Sequence, residues 1–120
     1  MDHIVEGVWL GSLQAANDSE LLEKEGITHM VSLGCQPDNM PACVKEHLKI
    51  DVEDLPTADL EPHFPTACDF IHACVKQNGK VLVHCNMGIS RSASIVIAYL
   101  CKANGTLMKE ARDFVKSKRA

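Results

Sequence analysis

The sequence predicts an α/β domain with a central, mainly parallel, twisted sheet of about four to five strands flanked by helices. Short apolar runs of strand length alternate with longer stretches whose apolar residues recur every three to four positions. Glycine or Asn-Gly punctuates the junctions between them. A chain of 120 residues, 46% hydrophobic and 23% charged, holds one core and one domain. Alternation of this kind argues for parallel strands joined by helical crossovers and covered on both faces.

Taken in order, Ile4 to Leu10 reads as a first strand closed by Gly11. Asn17-Asp18-Ser19-Glu20 is an N-cap at Asn17 with an acid three residues on, ahead of Leu21 and Leu22, and Gly26 supplies the left-handed stop. Ile27 to Leu33 is a buried strand ended by Gly34, and Cys35 to Glu46, with Pro37, Asp38, Asn39 and Pro41, is an exposed loop. His47 to Val52 is a third strand with Leu48, Ile50 and Val52 on one face. Leu60, Phe64, Ala67, Ile71, Cys74 and Val75 mark a helix capped by Asp59 and stopped at Asn78-Gly79. Val81 to Val83 is a short buried strand, followed by a tight loop. The next helix is so apolar (Ala93, Ile95, Val96, Ile97, Ala98, Leu100) that it must be packed on most sides. Gly105 ends it, and Thr106 caps a last helix whose face is Leu107, Ala111, Phe114 and Val115. There are no repeats, low-complexity tracts or linkers.

Composition excludes several classes. A net charge of −4 without a broad basic stripe argues against general nucleic-acid binding. Lys116, Lys118 and Arg119 read simply as cations facing the negative end of the last helix. No apolar run approaches the ~18 residues of a membrane span, and Met1-Asp2-His3-Ile4 lacks the basic and apolar regions of a secretory signal. The expectation is a cytoplasmic protein, with the nucleus as the alternative. Six cysteines occur without a Cys-x-x-Cys pair, and Cys68, Cys74 and Cys101 fall on apolar helix faces as reduced core thiols. Cys68 with His72, and Cys43 with His47, stand four apart, but isolated pairs of this kind are common by chance and no metal is expected.

The stretch from Cys85 to Arg91 carries the chemistry. Five residues separate a thiol from a guanidinium across a strand-to-helix turn: Asn86, Met87, Gly88, Ile89 and Ser90. Successive backbone N–H groups at a helix start converge on one point, and the positive end of the macrodipole favours a tetrahedral anion there. Gly88 lets the backbone curl inward. Arg91 can close the cradle on two phosphate or sulfate oxygens. The same field favours the ionised form of a thiol seated there. A nucleophile facing such an anion implies substitution at phosphorus or sulfur through a covalent cysteinyl intermediate. Ser92 can hydrogen-bond the sulfur and improve it as a leaving group. Reading Cys85 as a buried strand-end cysteine would leave Gly88, Arg91 and Ser92 unexplained. The departing oxygen also needs a proton, for which Asp51, Glu53, Asp54 and Asp59 are the candidates. Asp54 is favoured because it lies just past the third strand on a loop that can carry it over the site. Asp51 comes next, though it reads more simply as a solvent-facing strand residue.

His84-Cys85-x-x-Gly88-x-Ser90-Arg91-Ser92, with Ala98-Tyr99-Leu100 after it, resembles the signature of the dual-specificity subfamily of cysteine-dependent protein tyrosine phosphatases. The resemblance extends over nearly the whole chain, through Val8-Trp9-Leu10-Gly11-Ser12 and Gly26-Ile27-Thr28-His29. It implies a protein tyrosine phosphatase-like catalytic domain over residues 1–120 that hydrolyses phosphotyrosine and phosphoserine or phosphothreonine in phosphoproteins without a cofactor. It also places an aspartate six residues before the Leu that opens the next helix, which is Asp54 relative to Leu60. Cys85 is then the nucleophile, the amides of Asn86 to Arg91 hold the phosphate, and His84 supports the loop from behind. At this length there is no room for the segments that build a deep phosphotyrosine cleft, so the pocket is expected to be shallow. The neutral Asn86, Met87 and Ile89 disfavour polyphosphorylated lipid heads. Relatives usually continue past the position of Arg119 into a further helix, so apolar surface covered by a partner or a second copy is expected. The alternatives are a phosphoprotein-binding pseudophosphatase, a sulfur-transfer or arsenate-reducing enzyme, and a redox role pairing Cys85 with Cys35 or Cys43.

Overall fold

Val81–Cys85 is the middle strand of a five-stranded sheet, and every residue in it is buried. A strand covered on both faces has to be apolar throughout, which Val81, Leu82 and Val83 satisfy. The structure is a computed structural model that describes residues 1–51, 60–86 and 90–119. Its elements are β1 (Asp2–Val5), β2 (Val8–Ser12), α1 (Leu13–Ala16), α2 (Ser19–Glu25), β3 (His29–Leu33), β4 (Glu46–Ile50), α3 (Phe64–Lys76), β5 (Val81–Cys85), α4 (Ser90–Asn104) and α5 (Met108–Lys118). The strands lie in the order β1-β2-β5-β3-β4, parallel except for the edge pair β1 and β2.

Strand alternation assigns the two faces of the sheet. Val31, Leu33, Val81, Val83 and Cys85 face one core, filled by α3 (Ala67, Ile71, Cys74), α4 (Ile95, Val96, Tyr99) and α5 (Ala111, Val115). Met30 and Leu82 face the other, with Trp9, Ala16, Leu22 and Ile27 around them. The parallel strands all end on one side of the sheet: Ser12 lies opposite Cys85, Ser32 opposite His84, and Leu33 opposite Ile50. That common carboxyl edge is where a site in a fold of this kind belongs.

Gly26 closes α2 as expected, with φ at +76°, whereas the cap falls one residue later than Asn17: Asp18 caps the helix, its Oδ1 accepting from the Leu21 N–H at 3.1 Å. Other boundaries shift for local reasons. The single strand expected from Ile4 to Leu10 is a hairpin, because Gly7 takes φ of +81° and the chain reverses over Glu6-Gly7. The break between the apolar runs Ile4-Val5 and Val8-Trp9-Leu10 is only two residues, short enough to read as part of one strand. The helix expected from Leu60 opens as a 3₁₀ turn, Glu61–His63, before α3 begins, with prolines at the start of both. Thr106 does not cap the last helix: α5 starts at Met108, and Leu107 precedes it with no capping side chain. Leu107 (68% exposed) and Phe114 (39%) are turned outward, so the buried face narrows to Ala111 and Val115. Phe114 also borders a groove of about 280 Å³ with Val5, Leu100, Thr106 and Glu110. The expected cap Asp59 and the strand-end residue Val52 lie outside the described residues.

Leu82 is fully buried between β2 and β3 on the α1–α2 side. Leu82→Ala is expected to destabilise the chain by roughly 2–5 kcal/mol. Denaturant unfolding should show this as a lower midpoint at unchanged slope; a loss under 1 kcal/mol would mean that this face is not close-packed.

Candidate active site

The central strand delivers Cys85 to the carboxyl edge, and α4 starts five residues later at Ser90. Cys85 is fully buried, with its side chain on the α3–α5 side of the sheet. Ser92, in the first turn of α4, is also fully buried and puts its Oγ 3.4 Å from the Cys85 Sγ. Arg91 stands in the same turn, half-buried. At the loop's entrance the Leu13 N–H of α1 donates to the Asn86 carbonyl at 3.4 Å, tying the start of the loop to the end of β2. Of the expected site residues, the structure thus brings Cys85, Asn86, Arg91 and Ser92 to one end of the sheet. Met87, Gly88, Ile89 and Asp54 lie outside the described residues, as does the side chain of Ser90. Asp51, the alternative acid, is exposed just past β4, and its Oδ1 lies 3.4 Å from Lys49 Nζ.

His84 takes the opposite side of the sheet from Cys85, as neighbours in a strand must. It is fully buried, and burial lowers its pKa from 6.5 to about 4; the Cys85 carbonyl opposes that shift and His47 adds to it. The ring lies on the far side of the sheet from the thiol, with its Nδ1 3.4 Å from the Cys85 carbonyl oxygen. A partner of His84, and that partner's own partner, escape sequence reasoning. Ser32 Oγ lies 2.6 Å from His84 Nε2, and His47 Nε2 lies 2.7 Å from the same Ser32 oxygen. The available signal was a lone hydroxyl in the otherwise apolar run Met30 to Leu33, which a buried strand tolerates only when the hydroxyl is bonded.

None of the six cysteines is in a disulfide. Burial pushes the Cys35 thiol up, Cys85 adds to that, and Arg91 opposes it, so Cys35, two residues past β3, shares the electrostatic neighbourhood of the site. Cys43 instead packs against the core on the other side of the sheet from Cys85. Cys74 is driven up to about 11 by burial, as a core thiol should be. Cys68 and His72 line a groove between α3 and α4, whose Asp69 pairs with Lys102 at 3.3 Å. Among the described residues no group of three or more His, Cys, Asp or Glu could hold a metal ion, and no helix is long and apolar enough to cross a membrane.

Fold and site together are those of the protein tyrosine phosphatase-like class. Within it the chain belongs to the dual-specificity phosphatase family, whose model "Dual specificity phosphatase, catalytic domain" matches residues 8–120. It is 42% identical over 118 residues to MAP kinase phosphatase with leucine-rich repeats protein 3 of Dictyostelium discoideum, covering 97% of this chain and 14% of that one. Human DUSP28 superposes with a TM-score of 0.89 at 33% identity, over 99% of this chain and 83% of that one. The human tyrosine phosphatase-like serine/threonine/tyrosine-interacting protein gives 0.87 at 34%, over 99% and 83%. The chain spans between 14% and 30% of the length of the first three curated relatives it matches.

The buried His84 makes stability depend on pH. Unfolded, the ring titrates near 6.5; folded, it resists the proton until about 4. Between those values the unfolded chain binds a proton that the native one refuses, so stability is complete above 6.5 and falls as pH drops through the window. The loss at pH 4 from this residue is about 3 kcal/mol. Urea unfolding at pH 7.5 and pH 4 should show a smaller drop in His84→Gln than in the unsubstituted chain, and equal drops would refute the assignment.

Proposed function

We propose that this chain is a phosphoprotein phosphatase that hydrolyses phosphotyrosine and also phosphoserine or phosphothreonine monoesters through a cysteinyl-phosphate at Cys85, within a catalytic domain spanning residues 1–120. The observation that carries the reading is the buried Cys85 at the carboxyl end of the central strand, with a serine hydroxyl 3.4 Å from its sulfur and Arg91 on the same helical turn. Membership of the dual-specificity family supports it.

In the first step the Cys85 thiolate attacks phosphorus in line. A sulfur–phosphorus bond forms, the bond to the alkoxide or phenoxide breaks, and Asp54 gives that oxygen its proton. The main-chain amides of Asn86, Met87, Gly88, Ile89, Ser90 and Arg91, with the Arg91 guanidinium, hold the three equatorial oxygens and their charge, so no metal is required. In the second step Asp54 takes a proton from water, whose oxygen attacks phosphorus and displaces the thiolate. The Ser92 hydroxyl donates to the departing sulfur, which is the use its position suggests. Substrates are phosphorylated proteins, and free phosphate or sulfate should occupy the same cradle. The neutral Asn86, Met87 and Ile89 suit single phosphates better than polyphosphorylated lipid heads, and a shallow pocket would admit the shorter phosphoserine and phosphothreonine. A cytoplasmic or nuclear setting suits reduced thiols.

Turnover of p-nitrophenyl phosphate tests the reading. Steady phosphate release is expected, falling to background in Cys85→Ser and by about 100-fold or more in Asp54→Ala. Ser92→Ala should give a burst of p-nitrophenol followed by slow turnover, because only the second step loses its donor. Phosphopeptide binding without turnover by the unsubstituted chain would overturn the enzyme and leave a pseudophosphatase scaffold.

A further inference from the structure

The structure assigns positioning roles to Ser32 and His47: they fix the tautomer of His84, so that His84 holds the Cys85 carbonyl at the head of the phosphate loop. This rests on reading residues 85–91 as that loop. The four groups form one string. His47 Nε2 lies 2.7 Å from Ser32 Oγ, Ser32 Oγ lies 2.6 Å from His84 Nε2, and His84 Nδ1 lies 3.4 Å from the Cys85 carbonyl oxygen.

Donor counting gives the string a direction. A carbonyl oxygen only accepts, so His84 Nδ1 carries a hydrogen and donates it to Cys85. Burial keeps the His84 ring neutral at pH 7, so Nε2 has no hydrogen and must accept. Ser32 has one O–H, which it gives to His84 Nε2; its oxygen then accepts from His47 Nε2–H. The opposite arrangement would set the Nδ1 lone pair of His84 against the Cys85 carbonyl lone pairs. His47 donates from Nε2 both as the Nε2–H tautomer and as the imidazolium, so the direction of the string does not depend on its charge.

Sheet register makes the string. Ser32 is the Cα partner of His84 in β5, and His47 of β4 is the partner of Met30, two residues before Ser32 on the same face. Fully buried Ser32 and His84 therefore meet on the α1–α2 side, whereas half-buried His47 brings the string to the sheet's edge. The consequence crosses the sheet through the main chain: an imidazole on one side sets the carbonyl of the residue whose thiol works on the other.

Nitrogen-15 correlation NMR of the full chain reads the His84 tautomer directly. The unsubstituted chain is expected to show the Nδ1–H form at pH 7. In Ser32→Ala the population should move toward Nε2–H, and kcat/KM on p-nitrophenyl phosphate should fall about 10-fold. Ser32→Thr, which keeps the hydroxyl, should restore both. If Ser32→Ala does not fold, His47→Leu serves in its place: a mixed His84 tautomer supports the string, and a pure Nδ1–H form with unchanged kcat/KM overturns it. An Nε2–H tautomer in the unsubstituted chain, or no response of tautomer and rate in a folded Ser32→Ala, overturns it as well. An inactive unsubstituted chain with the Nδ1–H tautomer that Ser32→Ala shifts would instead sink the phosphatase reading and leave the string standing.

Discussion

The constraint on which the rest of the structure depends is the pairing of β5 on both of its edges. Its ladder with β2 runs from Val8 opposite Val81 to Ser12 opposite Cys85, and its ladder with β3 from His29 opposite Val81 to Ser32 opposite His84. A central strand cannot slide without breaking two ladders at once. A slip by a single residue would also exchange the two faces, taking Cys85 to the α1–α2 side and His84 into the apolar core. The thiol is therefore located by the hydrogen bonds of residues that take no part in the chemistry.

From that register follows a division of labour between the two sides of the sheet. Among the described residues the α3–α5 side around Cys85 is largely an apolar core, to which the first turn of α4 brings Ser92 and Arg91. A helix as apolar as α4, held by Ile95, Val96, Tyr99 and Leu100, cannot rotate without exposing core, so the Ser92 hydroxyl is fixed at its distance from the sulfur by packing. On the other side the polar atoms of Ser32 and His84 are taken out of water, and each unsatisfied one would cost roughly 1–3 kcal/mol. They are satisfied by each other, by His47 and by the main chain. A buried polar string of that kind adds little net stability but specifies a geometry, here at the main chain of Cys85.

How much of this is legible in the sequence follows from the range of the interaction that produces each part. The order of strands and helices is legible because each is written in local periodicity, and the loop from Cys85 to Arg91 because its residues are neighbours in the chain. The β1–β2 hairpin is hidden because the two-residue break Glu6-Gly7 between apolar runs is short enough to pass for one strand, and the outward turn of Leu107 because an extended residue before a helix does not follow the helix's period. The string from His47 to His84 is illegible for a stronger reason. Its members are 15 and 52 residues apart, and only the register of three strands brings them together.

The same geometry bears on the choice of acid, since nucleophile and acid rest on different connections. β4 ends at Ile50 on the same edge of the sheet as Cys85, two strand spacings away, or about 10 Å. Asp54 is four residues beyond that end, and four residues of chain span at most about 14 Å. The gap is within reach. Asp51 has one residue, about 3.5 Å of chain, and its carboxylate is already beside Lys49. Chain reach therefore separates two carboxylates that local sequence ranked one above the other without a distance, and it favours Asp54 because the sheet sets the acid's starting point two strands from the sulfur.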